Sequence, residues 1–236
     1  MRIYGFQKTT LLDYPGHVAA TVFTGGCNFR CHFCHNASLV LQTEKPPLIS
    51  AEEVLEHLEK RKGILEGVCI TGGEPTLEKD LKQFILQCKE LGYLVKLDTN
   101  GYRPTPLSEL IEEGLIDYVA MDIKASLKNY AEVTGCPDID TEKVLESIRI
   151  LKTSGIAYEF RTTVVKGLHT VEEFEEIGKL LSGCTLYCLQ AFQESENILG
   201  RYTSHVPMTP FSVQEMEQMA AGAGKYIDNV ILRGID

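Results

Sequence analysis

The chain has no uninterrupted apolar run near the roughly 20 residues that a membrane-spanning helix needs. Its first residues, Met1-Arg2-Ile3-Tyr4-Gly5-Phe6-Gln7-Lys8, lack the apolar centre of a secretory signal, so a cytoplasmic setting is expected. Positive charge is scarce. The 23 lysines and arginines face 33 aspartates and glutamates, a formal net charge of −10. The basic residues are dispersed apart from Glu59-Lys60-Arg61-Lys62, which reads as the solvated end of a helix. Nucleic-acid binding depends on clustered lysine and arginine against phosphate, so that function class is disfavoured. Linkers and low-complexity tracts are also missing, and 236 residues suit one domain with a full core, so a single domain over 1–236 is expected. In a reducing compartment the eight cysteines are expected as thiols or metal ligands rather than disulfides.

Three of those cysteines carry the most information. Cys27, Cys31 and Cys34 stand in Gly25-Gly26-Cys27-Asn28-Phe29-Arg30-Cys31-His32-Phe33-Cys34-His35-Asn36, directly after an apolar, strand-like segment. The C-x3-C-x2-C spacing gathers three thiolates in one tight loop. That is enough to hold three corners of an iron–sulfur cube and leave one iron open for chemistry. A structural zinc site would need a fourth ligand, for which His32 or His35 is available. Such sites usually show two separated ligand pairs, and the compact triplet argues against one.

Around the triplet the chain alternates strands and helices. Strands are predicted at 17–24, 67–71, 94–98, 118–123, 157–165 and 186–190, with a terminal one at 229–232. Capping boxes at Ser50, Thr170 and Ser212 open helices, as does Thr105 followed by Pro106; further helices are predicted at 79–91 and 140–153. Strict alternation implies a parallel sheet with right-handed crossovers. Six or seven units fall short of a closed eightfold barrel, so the predicted fold is α/β, a partial, laterally open (β/α)6-type barrel. The loop over 37–48 reads as part of the mouth of a site. Cys27, Gly72-Gly73-Glu74-Pro75, Asp98-Thr99-Asn100-Gly101 and Asp122-Ile123-Lys124 all fall at C-terminal strand ends, the rim where such folds bind ligands.

Each of these groups also has a plain structural reading. Gly72–Pro75 fits a tight strand-to-helix turn. Asn100-Gly101 is a turn signal in its own right, and Asp122 with Lys124 makes an ordinary ion pair. Cys69, Cys88, Cys184 and Cys188 read as packing or unassigned thiols, Cys136 as an exposed loop thiol, and Tyr14 and Tyr202 as packing residues.

The residues also carry a resemblance. Cys27, Cys31, Phe33 and Cys34, followed by Gly72-Gly73-Glu74-Pro75, resemble the radical S-adenosylmethionine (SAM) superfamily. Within it, Asp98–Gly101 and Met121-Asp122-Ile123-Lys124 are similar to the enzymes that activate glycyl-radical enzymes. The lead-in from Phe6 to Gly16, together with Cys34-His35-Asn36, is most similar to the anaerobic ribonucleoside-triphosphate reductase activating proteins. The resemblance implies that Cys27, Cys31 and Cys34 ligate a [4Fe–4S] cluster whose open iron takes SAM. Reductive cleavage of SAM would then give a 5′-deoxyadenosyl radical that removes hydrogen from a glycine of a partner enzyme under anaerobic conditions.

It further implies SAM contacts from Phe33, Gly72, Gly73, Glu74, Asp98, Thr99, Asn100, Asp122 and Lys124. The two glycines would let backbone approach the methionine moiety. Glu74 would receive its ammonium group or tie down the loop, and Lys124 would pair with its carboxylate. Arg161 is a further strand residue that could face the site; His169 lies near where the relatives place a SAM-contacting histidine, but Lys166 stands where they carry proline, so His169 is not among the expected contacts. A flavodoxin or ferredoxin is implied as electron donor. No cysteine-rich extension is visible that would serve chemistry needing auxiliary clusters. Other activases, such as that of pyruvate formate-lyase, radical SAM enzymes of small molecules or peptides, and a non-catalytic zinc module are the alternatives.

Overall fold

Apolar strands alternating with capped helices build one eight-stranded sheet in the computed structural model, which describes residues 1–41, 49–200 and 206–235. Residues 42–48 of the mouth loop, and Tyr202, lie outside the described residues. Strand β1 (Ile3–Thr10) runs antiparallel to β2 (Ala19–Thr24). From β2 onward the strands are parallel: β3 (Gly67–Gly72), β4 (Leu94–Thr99), β5 (Tyr118–Asp122), β6 (Ala157–Val164), β7 (Tyr187–Ala191) and β8 (Val230–Arg233). The returns are made by α1 (Ala37–Leu41), α2 (Ala51–Lys60), α3 (Leu81–Glu90), α4 (Pro104–Glu112), α5 (Tyr130–Thr134), α6 (Thr141–Ser154), α7 (Glu173–Leu181) and α8 (Val213–Ala223). Strand order follows chain order from β1 to β8, so the two ends of the sheet are edges that do not meet. This is the partial, laterally open parallel barrel expected, with β1 added as an antiparallel edge.

Period-two alternation decides which side chains point inward. On β4, Val95 and Leu97 are fully buried under the helices, while Lys96 and Asp98 take the opposite face. On β5, Val119 and Met121 alternate with Ala120 and Asp122 in the same way. Helices cover the outer face with matching stripes: Val54 and Leu58 of α2, Phe84, Ile85 and Cys88 of α3, and Ile177 and Leu181 of α7 are all buried. Each of these valine, leucine, isoleucine and phenylalanine side chains contributes about 1.5–3 kcal/mol by leaving water.

Two capping boxes form as read. Ser50 Oγ accepts from Glu53 N–H at 3.1 Å while Glu53 Oε2 accepts from Ser50 N–H at 2.9 Å, and Ser212 pairs with Glu215 in the same manner. Asp140 caps α6. Two other predicted starts do not hold. Helix α4 begins one residue before Thr105, with Pro104 already in the first turn and no side-chain cap at Arg103, because a proline's fixed φ suits that position. Thr170 does not cap α7, whose Glu173 carboxylate is drawn away to other partners. Among the described residues no helix is long and apolar enough to cross a membrane.

Candidate active site

Strand β2 ends at Thr24, and the loop that follows swings the cysteine triplet over the C-terminal rim of the sheet. Cys27, Cys31 and Cys34 face one cavity together with Phe33, Gly72, Gly73, Asp98, Thr99, Asn100, Asp122 and Lys124. Eleven of the twelve expected residues are therefore brought to one place, along with Arg161. Asn36, Thr71 and Thr163 also line it. Thr163 lies one alternation beyond Arg161 on β6, so the strand period puts it on the same face once the strand is known.

The twelfth residue, Glu74, does not reach the cavity. It is fully buried, and its carboxylate is consumed by the loop itself. Oε1 accepts from Thr76 N–H (3.1 Å) and Thr99 Oγ1 (2.8 Å), and Oε2 accepts from Asn100 N–H (2.7 Å). Burial pushes its pKa above the ordinary 4.5, against the pull of these donors. Glu74 therefore ties the end of β3 to the end of β4, the second of the two roles open to it. Glu74→Gln replaces an acceptor with an NH2 group that must face a buried donor. The expected cost is about 1–3 kcal/mol in denaturant unfolding of the metal-free protein. Unchanged stability would show that the carboxylate does not hold the two loops.

The reason expected for the glycines also needs correction. A Cβ on Gly73 would sit 1.9 Å from the carbonyl oxygen of Gly26, and one on Gly72, where φ is +122°, would sit 2.4 Å from both N and O of Thr24. The close approach that demands glycine is to the chain's own backbone, one residue from Cys27, rather than to a ligand. Gly73 N–H donates to Thr24 O (3.0 Å), Glu74 N–H donates to Gly26 O (2.8 Å), and Asn36 Nδ2 donates to Gly72 O (3.2 Å). The glycine turn and the cysteine loop are thus one interlocked unit.

Five charged side chains cross β4, β5 and β6 as an alternating row. Lys96 pairs with Asp98 Oδ1, and Asp98 Oδ2 meets Arg161 Nη1 at 3.3 Å. Arg161 Nε donates to Asp122 Oδ1 at 3.0 Å, and Asp122 Oδ2 meets Lys124 Nζ at 2.9 Å. Burial opposes the charge of Asp122, yet Lys124 and Arg161 outweigh it and hold the carboxyl down at about 2. Burial likewise opposes the Lys124 ammonium, and Asp122 keeps its pKa above the ordinary value. Three cations to two anions leave one positive charge unmatched, a suitable setting for a ligand carboxylate. Arg161 is central to the row, bridging both aspartates.

Three thiols of one loop facing a shared cavity match the three-cysteine donor set of an iron–sulfur cluster. Burial pushes the thiol pKa of Cys27 up to about 11 and that of Cys31 up to about 12. Lys124 acts in the opposite direction on both, favouring the thiolates that iron requires. Backbone also supports the loop: Phe29 N–H donates to Cys27 Sγ at 3.4 Å, and Leu199 and Gly200 N–H donate to the carbonyls of Cys34 and His32. Cys69, Cys88, Cys184 and Cys188 are buried away from the triplet's cavity. Cys136 is half-buried rather than exposed, its thiol donating to Asn28 O at 3.4 Å.

Comparison with known proteins agrees with this geometry. The sequence pattern of the radical SAM superfamily matches residues 21–181. A candidate glycyl-radical enzyme activating enzyme of Methanocaldococcus jannaschii is 34% identical over 99% of this chain and 96% of its own length. The pyruvate formate-lyase-activating enzyme of Clostridium pasteurianum is 34% identical over 52% of each chain. In three dimensions, Streptococcus suis SuiB bound to S-adenosylmethionine superposes with a TM-score of 0.68 at 16% identity. That match covers 89% of this chain and 49% of SuiB, and shows the shared fold. Family and fold together bring the [4Fe–4S] cluster and SAM as cofactors. The chain belongs to the radical SAM superfamily of enzymes, in the family of the glycyl-radical enzyme activating proteins.

Proposed function

We propose that this enzyme generates the glycyl radical of an anaerobic ribonucleoside-triphosphate reductase, working as one domain in the cytoplasm with a flavodoxin or ferredoxin as electron donor. The observation that carries the activase reading is the likeness to the archaeal relative, which extends over 99% of this chain and 96% of that protein. The choice of reductase rests on the Phe6–Gly16 lead-in and on Cys34-His35-Asn36. A second reading, activation of pyruvate formate-lyase, is favoured by the clostridial relative, which matches over half of each chain.

Cys27, Cys31 and Cys34 would hold the cluster. Bound there beside SAM, the cluster would supply one-electron reduction, the chemistry that cleavage of a sulfonium C–S bond needs. The protein's own residues bind and orient. Lys124, steadied by Asp122 and Arg161, would receive the SAM carboxylate. Gly72 and Gly73 offer backbone to its amino group, and Thr99, Asn100 and Asp98 present polar groups at the end of β4. Phe33 gives an apolar wall that helps exclude water.

The test is an electron paramagnetic resonance spectrum of the anaerobic reductase mixed with reconstituted protein, SAM and a low-potential reductant. A glycyl signal on the reductase is the expected result. A signal appearing only when pyruvate formate-lyase replaces the reductase would select the second reading, and SAM cleavage with neither partner labelled would remove both.

A further inference from the structure

Lys124 stands just beyond β5, where the sheet no longer fixes its backbone. Both of its main-chain polar groups are instead held by side chains. Tyr130, fully buried, takes the Lys124 N–H on its hydroxyl at 3.3 Å. His169 Nε2 lies 2.8 Å from the Lys124 carbonyl oxygen. The other ring nitrogen, Nδ1, accepts from Val165 N–H at 3.0 Å, so Nε2 carries the ring proton and donates. Four residues on, Glu173 Oε1 accepts from Ser126 N–H at 2.7 Å and from Asn129 Nδ2 at 3.2 Å. His169 and Glu173 are both almost completely buried, and neither lines the cavity.

We infer that His169 is a positioning residue for SAM: acting from behind the site with Glu173, it fixes the segment 124–129 so that Lys124 is presented to the cofactor's carboxylate. This rests on the assignment of Lys124 above. The imidazole suits the task because it is rigid, with one nitrogen locked by Val165 and the other aimed at the carbonyl. Its edge also meets Phe33, with ring centroids 6.3 Å apart. Packing therefore links His169 to the cysteine loop as well as to the lysine. Truncating the ring frees the Lys124 carbonyl in a dry pocket and lets the segment turn, while the thiols stay in place.

The experiment measures SAM dissociation constants by equilibrium dialysis on anaerobically reconstituted protein, with iron content as a control. His169→Leu should weaken SAM binding about tenfold with iron content unchanged. His169→Gln keeps an N–H donor and should lose about threefold. Lys124→Met should weaken binding at least tenfold, and the double variant His169→Leu/Lys124→Met no further, because both changes remove one interaction. Affinity within twofold of the parent in His169→Leu, or losses that multiply in the double variant, would overturn the inference while leaving the Lys124 assignment intact. Unchanged affinity in Lys124→Met would overturn that assignment, and the inference with it. Should His169→Leu fail to fold, His169→Gln combined with Lys124→Met reads the same coupling.

Discussion

Cys31→Ala is expected to emerge from anaerobic reconstitution colourless, with iron and sulfide near background and no reductive cleavage of SAM. Cys31 is the most buried of the three thiols facing the cavity, 6% exposed, and two remaining thiols leave a four-iron cube with two open corners. The change itself is small in volume, and a modest core truncation costs about 1 kcal/mol in a protein whose stability is several times that. Circular dichroism of the metal-free variant should therefore match the parent. A parent-like iron content in this variant would show that the triplet is not the cluster site.

Gly73→Ala should be equally damaging by another route. One methyl group placed 1.9 Å from Gly26 O cannot be absorbed by turning a side chain, because the obstacle is backbone. Relief requires moving Gly26, which breaks the bond that its carbonyl accepts from Glu74 N–H and drags Cys27 with it. Overpacking of this kind costs about 1–3 kcal/mol and sometimes more. The expected result is a lower unfolding midpoint of the metal-free protein together with failure to retain iron. Iron retention at the parent level with only SAM affinity reduced would mean that Gly73 faces ligand rather than the cysteine loop.

The contrast between these two variants shows what sequence could and could not supply. The triplet is legible because ligand spacing is a local property, fixed within eight residues. Strand ends at Thr99 and Asp122 are legible for a similar reason, since apolar runs stop where polar clusters begin. The partner of Gly73 is 47 residues away, and only the register that sets Thr24 beside Gly72 reveals it. Arg161 has the same difficulty: an arginine on a strand says little until Asp122 is seen directly opposite it. Strand β1 escaped notice because three of its eight residues, Gln7, Lys8 and Thr9, are polar and exposed, as suits an edge. The capping-box pattern at Thr170 misled because Glu173 had a tertiary bidder in Ser126, and tertiary contacts override local preference.

The chain-order pairing of the strands bears on how the enzyme is made. A sheet laid down strip by strip lets each new strand dock on a finished neighbour, with little waiting for distant segments. The cysteine loop arrives early, after β2, yet the residues that bond its outer side, Leu199 and Gly200, are synthesised long after it. The bonds from Leu199 and Gly200 can therefore close on the loop only after every strand through β7 has been synthesised.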